Sequence, residues 1–422
     1  MSDDTAAAGL LTGPPPGCPV QLADPHLFAT DAFRDRWAQL RAADRLEWTQ
    51  ATERAGFWSA ATYADVDLVL RDAQTFTSER GTVLAVLGVD DPAGGRQVAA
   101  TDPPRHTAMR ARLQKALTVR AIEQRRDVIT GLVREAIGPL ADGGVFDFAQ
   151  AMLALPVAVA GEAMGLPRAD WPRLGRLLTC AIAEDDPEYR EPGGPAATLD
   201  AAHRELFAYF QDLYRDRRRD LGDDLVSVLI ATEVDGRRMS PGEIVSNCYS
   251  VLLGAVVTTP HVPNHVLARH VDDGVLAAWA ADPAVTPTAI EEALRLASPA
   301  SHFLRYATRD VEVHGTVVRA GEAVVCWIGS ANRDPAVFPD PDRFDPRRTP
   351  NRHVAFGVGP HYCVGHNVAR VTMRVLFDEL LSRFTDFRSA GEPVRLHSNL
   401  ISGYKHVPIT ATPVGGSAAR PR

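Results

Sequence analysis

A ten-residue stretch, Phe356-Gly-Val-Gly-Pro-His-Tyr-Cys-Val-Gly365, constrains this chain more than any other. It sets Cys363 at the end of a glycine-rich loop and at the mouth of a helix. That helix is legible because Val368, Val371, Val375 and Leu376 fall at i, i+3, i+7 and i+8. A helix starting there aims free N–H groups and its positive dipole end at the sulfur. Such a setting favours the thiolate, the form of cysteine that binds metal or attacks carbon and phosphorus. The glycines let backbone come close to something flat or bulky. The bland alternative is a small buried hydrophobe.

A phosphatase-type nucleophile needs an arginine after five intervening residues; Ala369 stands there, and Arg370 is one place late. The loop is no dinucleotide fingerprint either, since Gly357-x-Gly359-x-x ends on Tyr362. The five cysteines, at 18, 180, 248, 326 and 363, are scattered and odd in number. They suit neither a disulfide framework nor a zinc or iron–sulfur site, and they fit a reducing, cytoplasmic setting. The first residues, Met-Ser-Asp-Asp, lack the basic start of a signal peptide. No apolar run approaches the length needed to span a bilayer; Val251 to Val257 is only seven residues. A net charge of −8 argues against a general nucleic-acid or membrane-surface binder.

Residues 1–20 and 415–422 read as loose arms around one domain over 21–414, since no break in composition divides the interior. Helical periods dominate: 31–43, 63–72, a helix opened by Asp102-Pro103-Pro104 with Asp102 as its cap, then 121–137, 147–165 and 199–218. Residues 46–59 suggest a sheet edge. The segments 78–100 and 184–194 read as loops. Ser240-Pro241-Gly242-Glu243 is a capping box, and the helix it opens is apolar on all sides at 251–257, so it should be buried. Pro260 and Pro263 then interrupt it beside Thr258 and Thr259, predicting a local opening. Beyond the Glu292-x-x-Arg295 helix, 311–325 alternates around Gly315 and Gly321 as a hairpin would. Residues 333–348 form an irregular meander, and 399–410 a closing strand pair.

The cysteine loop closely resembles the heme-binding loop of the cytochrome P450 family, matching Phe-Gly-x-Gly-x-His-x-Cys-x-Gly at six fixed positions. Glu292-Ala-Leu-Arg295 and Pro341-Asp-Arg-Phe344 resemble the family's Glu-x-x-Arg helix and its meander. The resemblance implies a mainly α fold with small β-sheets and heme b (iron protoporphyrin IX) as cofactor. It makes Cys363 the axial metal ligand, with Phe356 and Gly365 in the heme loop. It makes His106, Arg110, Arg305 and His361 partners of the heme carboxylates, which need paired cations when buried. Glu292 and Arg295 become a structural lock; alone, such a pair is usually a weak surface ion pair.

One position departs from the pattern. The family's central helix usually carries an acid before its threonine, and Val257 stands there before Thr258. Thr258 and Thr259 are the expected catalytic hydroxyls, with His261 a remote alternative. The bland alternative for Thr258 is a bond to its own helix, at the Gly254 carbonyl. By resemblance the substrate contacts include Arg80, Val256, Val257, His302, Phe303, Leu400 and Ile401, which suggests a hydrophobic or aromatic small molecule, free or on a carrier protein. Ordinary core is the alternative for most of them. Electrons are expected from a ferredoxin and its ferredoxin reductase, since no flavin or nicotinamide fingerprint is present. Arg112, Lys115, Arg370 and Arg374 are candidates for its docking patch. A monomeric monooxygenase tailoring a natural product is expected, with no nucleic acid or membrane partner. A peroxide-driven oxidase, motivated by Val257, and a catalytically silent heme-binding scaffold that recruits a partner are the rivals.

Overall fold

The computed structural model describes residues 22–53 and 55–415. The arm expected over 1–20 and nearly all of the expected tail lie outside these residues. Helices dominate, and the longest are Pro195–Arg217, His366–Arg383, Phe148–Met164 and Pro241–Val256. The Pro241–Val256 helix runs through the middle of the helical part. It packs against Pro195–Arg217, Phe148–Met164 and the short Leu225–Ile230 helix. Its start is fixed as the sequence indicates. Ser240 accepts from the Glu243 amide, and the Glu243 carboxylate accepts from the Ser240 amide. These reciprocal bonds satisfy two amides that a helix start leaves free.

The helix ends at Val256, and a second helix, His261–His270, resumes after a turn. The prolines explain the interruption. Pro260 offers no amide to the carbonyl four residues back, so the ladder breaks where Thr258 and Thr259 sit. The apolar run before the break is not wholly buried, as its composition suggests. Leu252, Val256 and Val257 are buried, but Gly254 is exposed on a face that borders a cavity.

A five-stranded sheet stands to one side of the helices, ordered Glu47–Gln50, Gly56–Ala60, Ala323–Trp327, His302–Ala307, Phe76–Thr77. Neighbours are antiparallel except Gly56–Ala60 with Ala323–Trp327. This corrects part of the expected 311–325 hairpin. Val311–Val313 and Thr316–Val318 do pair around Gly315, but residues 323–327 belong to the larger sheet. The closing pair is corrected too. Tyr404–His406 pairs with Val394–Arg395, and Pro408–Pro413 with Phe384–Ser389 and Phe146–Asp147. Trp327 anchors the sheet in an aromatic cluster with Phe28, Phe57 and Trp37.

Asp102 does not cap the helix after it. That helix is Arg105–Ala116 with Pro104 at the cap, and the Asp102 carboxylate instead accepts from the Ser78 amide at 3.0 Å and from the Thr77 hydroxyl. The acid thus pins the long 78–100 loop to the start of the helix. Helices at Trp171–Cys180 and Val275–Ala281 went unread in the sequence. Among the described residues no helix is long and apolar enough to cross a membrane.

Candidate active site

The cysteine loop turns back on itself before the His366–Arg383 helix. The Cys363 amide donates to the Phe356 carbonyl at 2.8 Å, and the Gly357 amide to the Val354 carbonyl at 2.8 Å. Gly359 sits at φ +71°, and a Cβ there would lie 2.7 Å from the Leu70 carbonyl oxygen and 2.9 Å from Arg71 Cα. Glycine is required on both counts. Gly359→Ala is therefore expected to lower stability by about 2–4 kcal/mol, from left-handed strain plus overpacking. Gly254, whose added Cβ would meet nothing within 4 Å, should accept alanine without such a loss. Denaturant midpoints of the two variants check this.

Cys363 opens on a cavity of about 1610 Å³ that follows the 241–256 helix from Ser240 to Thr258. An ordinary small-molecule pocket holds roughly 300–1,000 Å³, so this one has room for a bulky cofactor and a second molecule. Burial pushes the Cys363 thiol up, against the Gly365 and His366 amides and the Arg110 and Arg370 guanidiniums, which pull it down. Burial outweighs them, which corrects the expectation that loop and helix alone favour the thiolate. A thiolate here needs a cation beside it.

Arg110, Arg305 and His361 line the cavity, and His106 packs against His361 without lining it. Arg110 donates to the Tyr362 carbonyl, and the His106 and His361 rings lie 4.3 Å apart. Arg305 is buried, and among the described residues its side chain bonds only the Leu304 carbonyl, at 2.7 Å. Both His106 ring nitrogens are buried and, among the described residues, have no hydrogen-bond partner. Burial, then the charges of Arg110 and Arg305, hold His106 down to about 4. Burial and the same arginines with His106 hold His361 down to about 2. Asp102 is the nearby acid, 4.0 Å from His361 Nε2, while Ser78 Oγ lies 3.2 Å from the same nitrogen. So many buried donors and cations, crowding one another, are the set that a ligand with two carboxylates would satisfy. With one soft sulfur donor beside them and room above, the residues fit a heme.

Phe356 and Gly365 line the cavity, with Arg370 4.6 Å over the Phe356 ring. Arg370 is not free for docking, because it grips Glu291 at 2.6 and 2.8 Å. Arg112 and Lys115 are exposed, and Arg374 lies 3.8 Å from Asp378. Glu292 and Arg295 lie away from the cavity. They pair at 2.7 and 2.8 Å, wholly buried, and Arg295 also donates to the Asn332 and Pro341 carbonyls.

Thr258 and Thr259 line the cavity, and the Thr258 hydroxyl donates to the Gly254 carbonyl at 2.8 Å. His261 does not line it. Its ring faces Gly403, and burial holds it neutral, down to about 4. Val257, Phe303, Leu400 and Ile401 line the cavity as expected of substrate contacts. Three expected contacts are corrected. Val256 packs into the core; His302 is sealed between the Leu84 amide and the Asn399 carbonyl; and Arg80 lies over the Tyr306 ring. His203, Phe207 and Tyr249 line the cavity and were missed. The i, i+4 spacing of His203 and Phe207 marks a shared face, but nothing in the sequence says what that face meets.

A family model described as Cytochrome P450 matches residues 283–399. Cytochrome P450 NovI of Streptomyces niveus is 33% identical over 93% of this chain and 96% of its own. Linalool 8-monooxygenase of Pseudomonas putida is 31% identical over 93% of this chain and 98% of its own. Among solved structures, P450 OxyD, involved in the biosynthesis of vancomycin-type antibiotics, superposes with a TM-score of 0.83 at 34% identity, covering 93% of this chain and all of that one.

Proposed function

The chain belongs to the cytochrome P450 family of heme monooxygenases, and from that premise we propose that it oxidises a hydrophobic or aromatic small molecule in natural-product biosynthesis. The observation that carries this reading is one cavity joining the Cys363 sulfur, two buried arginines, Arg110 and Arg305, that hold no ion pair among the described residues, and an apolar wall. Cys363 would hold the iron of heme b, iron protoporphyrin IX. His106, Arg110, Arg305 and His361 would hold its carboxylates. When bound, the heme supplies oxygen activation, with a thiolate ligand that favours O–O cleavage.

The protein's own part is to bind, to exclude water and to place protons. Val257, Phe303, Leu400 and Ile401 offer an apolar wall for the substrate. Thr258 bonds the Gly254 carbonyl as donor, so its oxygen keeps lone pairs for a water on the cavity side. Together with Thr259, at the interrupted ladder, it would hold the water that delivers protons where Val257 replaces an acid. Thr258→Ala is then expected to lower the fraction of consumed oxygen that reaches product by about tenfold or more, with peroxide released instead. Oxygen uptake measured beside peroxide and product checks it. Unchanged coupling removes Thr258 from the reaction. Turnover with hydrogen peroxide alone, equal to that with electron donors, would favour the peroxide-driven reading.

A cytoplasmic setting and electrons from a ferredoxin and its reductase complete the proposal, with Arg112 and Lys115 the exposed cations available for docking. A spectral binding screen of aromatic, terpene and polyketide libraries, with and without carrier-protein attachment, tests the substrate class. A holoprotein that responds to none of them and turns over with no electron source would instead be a silent scaffold.

A further inference from the structure

Midway along the 241–256 helix, Tyr249 meets the Pro195–Arg217 helix. His203 Nε2 lies 3.0 Å from the Tyr249 hydroxyl. Phe207, one turn further, stacks on the Tyr249 ring with centroids 5.1 Å apart at 28°. The imidazole meets both rings edge-on, at 5.6 Å and 6.1 Å. All three side chains line the cavity, whose wall also carries the apolar set of Leu253, Val257, Phe303, Leu400 and Ile401. A polar pair placed in such a wall needs a reason.

The pair's hydrogen bond uses one ring nitrogen. Among the described residues, His203 Nδ1 has no protein partner. Burial pushes His203 below its ordinary value, so the ring is neutral near pH 7 and carries one donor and one acceptor nitrogen. If the Tyr249 hydroxyl donates to Nε2, then Nδ1–H is offered to the cavity. If Nε2–H donates instead, the tyrosine proton is offered and Nδ1 accepts. Either tautomer suits a neutral hydroxyl or carbonyl better than a charge.

Resting on the reading that this cavity receives the substrate, we propose that His203, Phe207 and Tyr249 form a recognition platform. A planar or aromatic portion of the substrate lies against Phe207 and Tyr249, and a hydroxyl or carbonyl group bonds the His203–Tyr249 pair. Seven positions of helix separate Tyr249 from Val256, about 10 Å at 1.5 Å per residue, and Thr258 follows two residues into the turn. The anchored oxygen and the carbon that is oxidised are therefore held on the order of 10 Å apart. The platform sets which carbon is presented as well as which molecule enters.

The test uses calorimetric titration of the full-length holoprotein with 4-phenylphenol and with 4-methylbiphenyl, which match in length and differ in the hydroxyl. The phenol is expected to bind about three- to tenfold more tightly, the scale of one neutral hydrogen bond. Tyr249→Phe and His203→Phe should each bring that ratio to about one while leaving the methyl compound within about twofold. Phe207→Ala should weaken both ligands alike, by about three- to tenfold. Equal affinities in the unmodified protein overturn the proposal, as does a preference that survives both variants or failure of either compound to bind. The pair would then be a brace between two helices, seen as lowered denaturation midpoints alone. The carbon monoxide spectrum of the same preparation is read separately: a normal heme–thiolate band without the phenol preference rejects the platform and leaves the heme reading intact.

Discussion

Cys363→Ser is expected to abolish the long-wavelength carbonyl band of sulfur-ligated heme and to bring turnover to background. The substitution exchanges sulfur for oxygen at almost the same volume. The loop bonds that place the side chain are backbone bonds, from the Cys363 amide to Phe356 and from Gly357 to Val354, and serine can keep them. What it cannot keep is the donor. A serine hydroxyl stays protonated near neutral pH, whereas a thiol beside the Gly365 and His366 amides and a metal cation gives up its proton. Loss of an outer partner of a metal ligand costs about 10- to 100-fold, so loss of the ligand itself should exceed about 100-fold in activity. Reduced protein under carbon monoxide, with iron content and denaturation midpoint measured beside it, checks this. An unchanged band in the serine variant, or wild-type protein that holds no iron, removes the basis of the proposed function.

That test was legible in the sequence because the chemistry is local. Ten consecutive residues carry the sulfur, the glycines and the helix start. The Ser240–Glu243 capping box and the break at Pro260 are local in the same sense, and both stand in the structure. Features that depend on distant partners were not legible. Asp102 before two prolines has the composition of a cap, yet its oxygens turn to Thr77 and Ser78, some 25 residues back. The strands after residue 400 alternate as strands should, but their partners begin at 146, 384 and 394, which alternation cannot reveal. Sidedness was hidden too. Val256 and Val257 are the same residue in one apolar run, and only the second faces the cavity. His203 and Tyr249 are 46 positions apart and meet only because two helices pack in one register. Burial also reversed a local inference: amides at the helix start do favour the Cys363 thiolate, and desolvation outweighs them.

The largest stability effect is expected at the lock beneath the meander. Glu292 is wholly buried and accepts from Arg295 twice, from Arg348 Nε at 3.0 Å, from the Asp345 amide at 3.0 Å and from Asn351 at 3.1 Å. Arg295 spends its remaining donors on the Asn332, Pro341 and Arg343 carbonyls. The carboxylate therefore ties one helix to three points of a segment that has little regular structure of its own. Removing it strands two guanidiniums, one of them wholly buried, and breaking a buried pair costs about 3–5 kcal/mol. Glu292→Leu should lose that much or fail to fold, and Glu292→Gln should fold with a smaller loss, since an amide keeps shape and one acceptor oxygen. The pH dependence separates charge from shape. Burial pushes the Glu292 carboxyl up, but Arg295, the Asp345 amide and Arg348 more than offset it, so the folded value lies below the ordinary one. A depressed value contributes stability fully above the unfolded pKa of about 4.3 and loses it as pH falls through the folded value. Wild-type stability should thus fall more steeply in acid than that of Glu292→Gln. Parallel slopes for the two proteins would mean that the pair's charge adds nothing to the lock, and that its shape and hydrogen bonds alone hold the meander.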